Sequence, residues 1–450
     1  MLASCNLYSN YERPDNIVSD SLYRDTTSTY AILATDTANF GNTPWQEIFV
    51  EPELQALINK ALDMNADIRT ADLTIKQAEA SLKASRLAFF PSLSFAPTGT
   101  ITSYDGAKST KTYSIPVQAS WQIDAFGSLR NSKKQYQAAL EQSKAYKQVT
   151  RTSVIAAVAN VYYTLQMLDE QLRLTKATAE LWDKNVAAME AMYEAGGLTN
   201  AAAVASAKAN CLSVKSTIPA LEQSIREAEN SMCVMLHEEP HPIQRGATYS
   251  GELPEELAVG VPLQLLSIRP DVRAAEMQLA YAFYGTNAAR AAFYPNITLT
   301  GSYGFTNSGG SGITNPGAFL ASAVASLVQP LFNKGTLRAN LKIAKYQQEA
   351  AQIAFETALL TAGQEVSNAL GQYQTYAEQV EILEKQVKEL EIAAEKTDYL
   401  FRYGNTTTYL ETLTAQQNLL SAQLSLISDK FDKVQAVITL YQALGGGREL

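Results

Sequence analysis

The chain of 450 residues contains the same pattern twice. The segment DIRTA at 67–71 recurs as DVRAA at 271–275, and RLAFFP at 86–91 recurs as RAAFYP at 290–295, both at a separation of 204 positions. Further matches are separated by 208 positions: Leu129 with Leu337, Gly196 with Gly404 and Thr199 with Thr407. Self-similarity at a fixed separation indicates a tandem duplication.

The duplication predicts two repeats of the same build, each with a β-hairpin between long helices. We expect an N-terminal leader and extended segment at 1–50, repeat 1 at 51–240, a connector at 241–258 and repeat 2 at 259–450. The expected elements are helices 51–90 and 129–237 with a hairpin at 92–126, and helices 259–294 and 337–444 with a hairpin at 296–332.

The longest helices are predicted from a seam of apolar and small residues. Over 154–193 these residues recur in steps of four and three, and the same steps return over 362–401. This spacing is typical of coiled coils. A helix from Leu129 to the turn at Gly196-Gly197 would be about 100 Å long at 1.5 Å per residue, which is far longer than a compact domain needs.

The hairpins are predicted from strict alternation of polar and apolar residues, as over 112–123. Tilted strands of about 9–11 residues cross a bilayer, although a soluble sandwich hairpin fits the alternation equally well. Four membrane strands leave open edges, whose backbone groups would be unpaired in hydrocarbon. Three chains would supply twelve strands, enough to leave a lumen, together with twelve helical columns. The expected fold is mainly α with a β-barrel part.

Composition excludes several classes of function. The net charge of −9 argues against nucleic acid as a partner, because phosphate binding needs a basic stripe. The sequence contains no run of 18 apolar residues, so we expect no transmembrane helix. Pro240 lies between His237 and His241 and prevents the helical zinc-protease motif, so we expect no enzyme, no cofactor and no metal site. A structural coiled-coil envelope protein without a pore stays as an alternative.

The segment Leu2-Ala3-Ser4-Cys5 is typical of a bacterial lipoprotein cleavage site. Small residues precede a cysteine whose thiol would receive diacylglycerol, and the mature chain could also carry palmitate. The charged and apolar parts of a signal peptide do not precede this segment in the sequence. Either those parts have been removed from this sequence or the match arises by chance. On these four residues alone, we expect Cys5 to be a lipid anchor.

Several motifs resemble one family. The segment RPDVRAAE at 269–276, with PWQEIF at 44–49, AFYPNITLTGSYG at 292–304 and FRYG at 401–404, is similar to the TolC-like outer-membrane factors. The resemblance extends over about 40–447 and favours the lipoprotein branch that serves multidrug pumps of the resistance-nodulation-division type. It implies a homotrimer with a barrel in the outer membrane of a Gram-negative bacterium and an α-helical tunnel in the periplasm.

The resemblance also implies partners and site residues. A periplasmic adaptor would link the duct to an inner-membrane pump and would dock at the helix turns, on Gly196, Thr199, Arg402, Gly404 and Thr407. The expected activity is passive exit of drugs and other small molecules. Exit of proteins from a type I secretion system, or of metal ions, would use the same duct.

The same family closes its periplasmic mouth with apolar and acidic rings. Leu410 matches the apolar position, whereas Thr414 and Gln417 stand at the usual acidic and basic positions. Glu411 lies a little under one turn from Thr414 and could supply the negative ring instead, since three copies around a threefold axis would favour cations. An exposed glutamate that is merely solvated is the alternative.

Overall fold

A computed structural model describes residues 8–14, 43–106, 109–196, 199–246, 269–307, 317–403 and 407–447. Cys5, Gly404, most of the predicted connector and the first ten residues of the predicted helix 259–294 lie outside the described residues. The chain divides into two compact units. The first comprises the described parts of 1–18, 72–146 and 271–358, and the second comprises those of 19–71, 147–270 and 359–450.

The described elements alternate helices with strands in both halves of the chain. In the first half they are α1 (Trp45–Ile48), α2 (Pro52–Met64), α3 (Ala66–Leu87), β1 (Ser92–Phe95), β2 (Thr98–Thr102), β3 (Thr110–Ile123), α4 (Ser128–Glu194) and α5 (Ala201–Met235). In the second half they are α6 (Pro270–Ala291), β4 (Asn296–Thr306), β5 (Ala318–Val328), α7 (Thr336–Tyr403) and α8 (Tyr409–Ala443).

The two longest helices, α4 and α7, contain 67 and 68 residues. Each predicted range 129–237 and 337–444 thus contains two helices, with α5 and α8 forming the shorter second members. Each of those shorter helices contains 35 residues. No helix in the described ranges combines the length and the hydropathy that a membrane-spanning helix needs.

The single helix predicted over 51–90 is wrong, because the chain breaks at Asn65 between α2 and α3. Asn65 has an extended backbone with φ −57° and ψ 134°. Its side-chain oxygen accepts hydrogen bonds from the backbone N–H groups of Asp67 at 2.9 Å and Ile68 at 3.4 Å. An asparagine that satisfies the first N–H groups of a helix begins that helix, and apolar periodicity does not show such a break.

The strands of the first unit form one antiparallel sheet in the order β1-β3-β4-β5, with β2 also paired to β3. β1 and β2 occupy one edge in succession, so the sheet has four strand positions. The two predicted hairpins are therefore joined. β3 of the first half pairs with β4 of the second half from Ser114↔Thr306 to Ile123↔Ile297.

The strand register separates the sheet into two chemically different faces. On β1, β3, β4 and β5, one face is rich in apolar and aromatic side chains. These are Leu93, Phe95, Ile115, Val117, Trp121, Ile297, Leu299, Tyr303, Phe305, Phe319 and Leu327. Many of them are exposed, including Leu93 at 75% and Leu327 at 65%. The opposite face of β3 and β4 carries mostly serine, threonine and glutamine.

The N-terminal segment 8–14 lies against α6 and the start of α4 within the first unit. Both guanidinium nitrogens Nε and Nη2 of Arg13 bind the carboxylate of Glu276, with Nε 2.9 Å from Oε1. The same guanidinium lies 5.9 Å from the ring centre of Phe355. The backbone N–H of Tyr11 donates to the hydroxyl of Tyr284 at 3.3 Å. These contacts fix the segment to the helices.

The residue that opens the family-like motif at 269–276 has a structural role in the second unit. Arg269 is buried, and its Nη1 donates to the carbonyl of Ala443 at 2.6 Å, at the end of α8. Its Nη2 lies 2.6 Å from Glu365 on α7. A cation that binds the last carbonyls of a helix stabilises the helix end. Arg269 therefore secures α8 against α7.

The β3–β4 pairing can be tested by a substitution at Gly304 on β4. A Cβ atom there would lie 2.2 Å from the carbonyl oxygen of Ile115 on β3, so Gly304→Ala must displace backbone and should destabilise the sheet by about 1–3 kcal/mol. The thermal unfolding midpoint, followed by circular dichroism of the purified protein, measures this. Gly301→Ala is the matched control, because its Cβ would meet only Ser322 at 3.6 Å. Equal midpoints for the two variants would contradict the argument.

Candidate functional site

The candidate site lies in the second unit, where α4 is followed by α5 and α7 by α8. We call the ends of these four helices, residues 182–196, 199–214, 397–403 and 407–417, the turn region. The turn region contains all the predicted docking and gate residues except Gly404, which lies outside the described residues.

Gly196 and Asn200 determine the first turn. Gly196 has a left-handed backbone with φ +71°, and its N–H donates to the carbonyl of Tyr193 at 3.1 Å. This conformation ends α4 at low cost only for glycine. The side chain of Asn200 then accepts from the N–H of Ala203 at 2.9 Å and begins α5. Thr199, half-buried, has a buried hydroxyl without a hydrogen-bond partner among the described residues.

The second turn ends in a capping box at the start of α8. The backbone N–H of Glu411 donates to Oγ1 of Thr408 at 3.4 Å, and the backbone N–H of Thr408 donates to Oε2 of Glu411 at 3.1 Å. Reciprocal bonds of this kind satisfy two free donors at a helix start. Thr407, which the family resemblance assigns to docking, directly precedes this cap residue Thr408. Its T-x-x-E spacing with Glu411 was a readable signal.

The four predicted gate residues lie on the first three turns of α8. Leu410 is 66% exposed, and Glu411, Thr414 and Gln417 are also exposed. Thr414 donates its hydroxyl to the carbonyl of Leu410 at 2.8 Å, within its own helix. Gln417 donates to the side-chain oxygen of Asn210 on α5 at 3.1 Å. Gln417 therefore joins two helices, whereas Leu410 presents an apolar side chain at the surface.

Arg402 belongs to a polar network that crosses three helices. Its guanidinium pairs with Asp398 at 2.8 Å and donates to the side-chain oxygen of Asn185 on α4 at 3.4 Å. The amide nitrogen of Asn185 donates in turn to Gln416 on α8 at 3.3 Å. Arg402 thus connects α7 to α4 and, through Asn185, to α8. The family resemblance assigns Arg402 to docking alone, and no sequence pattern indicates the contacts of Asn185, Gln416 or Asn210.

An apolar core supports these polar contacts. Trp182 on α4 packs with Cys211 and Val214 on α5 and with Leu413 on α8. Tyr409 packs against this cluster and also against the cluster that contains Met189 on α4. Burial raises the pKa of Tyr409 above its ordinary value, and the nearby Cys211 adds to the shift. The two turns are thus held to one another by packing as well as by amides.

Asp183 in the turn region pairs with Lys215, which lies one residue beyond that region on α5. Lys215 lies 2.7 Å from Asp183 and, with the thiol of Cys211, lowers the pKa of that carboxyl. Burial raises the pKa of the Cys211 thiol, and its hydrogen bond to Asp183 raises it further. Across the described ranges, no three histidine, cysteine or acidic side chains are arranged to hold a metal ion.

The comparisons with known proteins agree on one family of outer membrane efflux proteins. The sequence matches the outer membrane efflux protein family over residues 57–236 and 261–446. It is 28% identical to the probable outer membrane lipoprotein SilC of Salmonella typhimurium, with 99% of this chain and 96% of SilC covered. Cation efflux system protein CusC of Escherichia coli K12 is also 28% identical, with 99% of this chain and 97% of CusC covered.

A solved structure shows the same architecture. The crystal structure of the open state of the Neisseria gonorrhoeae MtrE outer membrane channel has a TM-score of 0.87 and 27% identity, and 98% of each chain is covered. Agreement over nearly the whole chain supports the placement of the helices and strands described above.

The capping box at Thr408 can be tested beside an adjacent control. Thr408→Ala removes the side-chain acceptor of the Glu411 N–H and should destabilise the first turn of α8 by about 1 kcal/mol. Hydrogen exchange of the amides at 411–413 should then accelerate about five-fold, measured by mass spectrometry of the full chain. Thr407→Ala changes the neighbouring threonine, which does not cap α8. Equal acceleration in both variants would argue against the capping role.

Proposed function

Because the chain belongs to the outer membrane efflux protein family, we propose that three copies of it form the exit duct of a tripartite efflux system. The chain is an outer-membrane channel component and not an enzyme, as its family and relatives indicate. Family membership also sets aside the alternative of a structural coiled-coil protein without a pore. The trimer, the closure of the sheet and the roles of single residues are our proposals.

The observation that carries the proposal is the amphipathic sheet with two open edges. One edge is formed by β1 and β2 and the other by β5. Their outward backbone groups would be unpaired in lipid, a state that costs several kcal/mol for each group. Pairing β5 of one copy with β1 and β2 of the next would satisfy them. Twelve strand positions would then close a barrel with its apolar face toward lipid and its hydroxyl-rich face toward the lumen.

The turn region would form the periplasmic mouth of this duct. Leu410 and Glu411 are exposed near the start of α8, so three copies would present an apolar and an acidic ring. One carboxylate oxygen of Glu411 accepts the hydrogen bond from the backbone N–H of Thr408, and the charged side chain stays exposed at the surface. Gln417 would act at this mouth by holding α8 to α5 and not as a free group.

The adaptor would dock on the two turns. Gly196 is suited to a close approach, because nothing lies within 4 Å of the position where a Cβ atom would stand. Thr199 and Thr407 lie beside the helix starts, and Arg402 is half-exposed at the end of α7. A periplasmic adaptor that contacts these residues and Gly404 would connect the duct to an inner-membrane pump of the resistance-nodulation-division type.

The transported solutes are drugs and other small molecules in this proposal. Export of metal ions is the second candidate, because CusC is named a cation efflux system protein and is 28% identical to this chain. In this proposal the inner-membrane pump, and not the duct, selects between these cargoes.

Cys5 is the proposed lipid anchor, in agreement with the name of SilC as a probable outer membrane lipoprotein. A diacylglycerol on its thiol, with palmitate on the new N-terminus, would attach the chain to the outer membrane. This attachment would add to the insertion of the sheet.

The duct and its acidic ring are tested together by single-channel recording. The purified protein should run as a trimer and give small conductance steps in a planar bilayer, with a reversal potential in a KCl gradient that shows cation preference. Glu411→Gln should move that potential toward zero, because the charge is lost while glutamine still completes the capping box.

Glu378→Gln is the matched control for charge, since Glu378 is an exposed glutamate on α7 outside the turn region. It should leave the reversal potential unchanged. A monodisperse monomer without conductance would refute the duct. A trimer that conducts with the same selectivity after Glu411→Gln would refute the acidic ring only.

Lipidation is tested by intact mass. The protein is produced in a Gram-negative host with a lipoprotein signal sequence ahead of Leu2, and the mature chain should carry the added mass of a diacylglycerol and an amide-linked acyl group. Cys5→Ser should remove all of it, whereas Cys211→Ser, which alters a buried thiol, should not. An unmodified mass for the original protein would contradict the anchor.

A further inference from the structure

Four helix ends meet the same end of the sheet. α3 precedes β1, α4 follows β3, α6 precedes β4 and α7 follows β5. The register pairs Ile123 with Ile297 and Asn296 with Val328, so the strand ends nearest these helices lie side by side. Two side-chain bonds tie the junction together: Trp121 Nε1 donates to the carbonyl of Phe89 at 2.8 Å, and Gln329 donates to that of Phe293 at 2.8 Å.

The charge of these four helix ends is opposite to that of the chain. The segments 80–91, 124–140, 283–295 and 329–348 contain ten of the 36 lysines and arginines but only one of the 45 acidic residues. That residue, Asp124, has a largely buried side chain and is paired with Arg130. The chain as a whole has a net charge of −9. These segments therefore have an excess of positive charge, which ends at Glu79, Glu141 and Glu349 directly beyond them.

We call the basic residues of these four segments the basic collar. Six of them are exposed and make no ion pair with a described residue: Lys83, Arg86, Lys334, Arg338, Lys342 and Lys345. Arg338, Lys342 and Lys345 follow one another at steps of four and three along α7, so they lie on one face of that helix. Cations without a partner on the protein are available to an external anion.

Two highly exposed apolar side chains lie between β5 and α7, at the same junction as the basic collar. Leu331 and Phe332 follow β5 directly and are 94% and 87% exposed. Phe90, just before β1, is 68% exposed. Apolar and basic side chains interleaved at the end of a lipid-facing strand are the chemistry of a membrane interface, where apolar groups enter the acyl boundary and long cationic side chains reach the head groups.

We infer that the basic collar binds the anionic head groups of phospholipids in the leaflet that surrounds the junction of helices and sheet. The inference rests on the proposed function, which places the sheet in the outer membrane. Phe90, Leu331 and Phe332 are exposed apolar side chains at the same end of the sheet as the collar, which commits the anion to a lipid and not to free phosphate. Each lysine or arginine near a charged surface favours an anionic lipid by about five-fold.

The test uses vesicles that contain equal parts of phosphatidylglycerol and phosphatidylcholine. In one preparation the phosphatidylglycerol tails are brominated, and in the other the phosphatidylcholine tails are brominated, so the two bilayers differ only in which lipid quenches tryptophan. Trp121 stands at the collar, hydrogen-bonded to the residue before Phe90. Trp45 and Trp182, the two other tryptophans, contribute the same background to both preparations.

The inserted protein should be quenched several-fold more when phosphatidylglycerol carries the bromine, and added salt should reduce the difference. The triple variant Arg338→Gln, Lys342→Gln and Lys345→Gln should lose most of it. Lys385→Gln, Lys388→Gln and Lys396→Gln together form the control, because they remove the same charge from exposed positions of the same helix. That control should keep the preference.

Equal quenching in the two preparations, or a preference that survives the collar variant, would overturn the inference. The proposed function is read separately, from conductance of the same protein in planar bilayers of phosphatidylcholine. A conducting trimer without lipid preference would remove the collar inference and leave the duct. A collar variant that conducts normally but has lost the preference would support the inference and exclude misfolding.

Discussion

The pairing of β3 with β4 is the contact on which the rest of the structure depends. Ten residue pairs join the strand of one repeat to the strand of the other. Because side chains alternate along a strand, a slip by one residue would move every apolar side chain to the opposite face. The close approach of Gly304 to Ile115 leaves no room for a larger residue in this register. The apolar face and the convergence of the four helix ends both follow from it.

Long periodic features of the sequence predicted the fold well. The seam over 154–193, the end of the first long helix before Gly196 and the family-like motif at 269–276 all correspond to features of the structure, and the comparisons confirm the family and the fold. The sequence predicted that the strands of both hairpins share one barrel, but not that β3 pairs directly with β4. Their contact joins residues almost 200 positions apart, and the alternation that predicts a strand does not identify its neighbour.

The site was predicted less completely for a similar reason. Single helix ends carry local signals, so the turn at Gly196 could be predicted from the sequence. The contacts of Asn185 with Arg402 and Gln416 depend on how three helices are rotated about their axes. The sequence around an asparagine or glutamine on a helix surface does not indicate which side chain on another helix it will contact. The break at Asn65 was missed because its evidence is a pair of hydrogen bonds and not a pattern.

The N-terminal segment limits the length of any tether between the lipid and the protein. The ring of Tyr8 lies 3.6 Å from the position where a Cβ atom of Gly127 would stand, immediately before α4. Tyr8 is three positions after Cys5 in the sequence, and an extended chain of three steps reaches about 11 Å at most. In the proposed duct, an acyl chain on Cys5 would therefore enter the bilayer beside the junction of helices and sheet. The short tether would then limit the displacement of the sheet along the membrane normal.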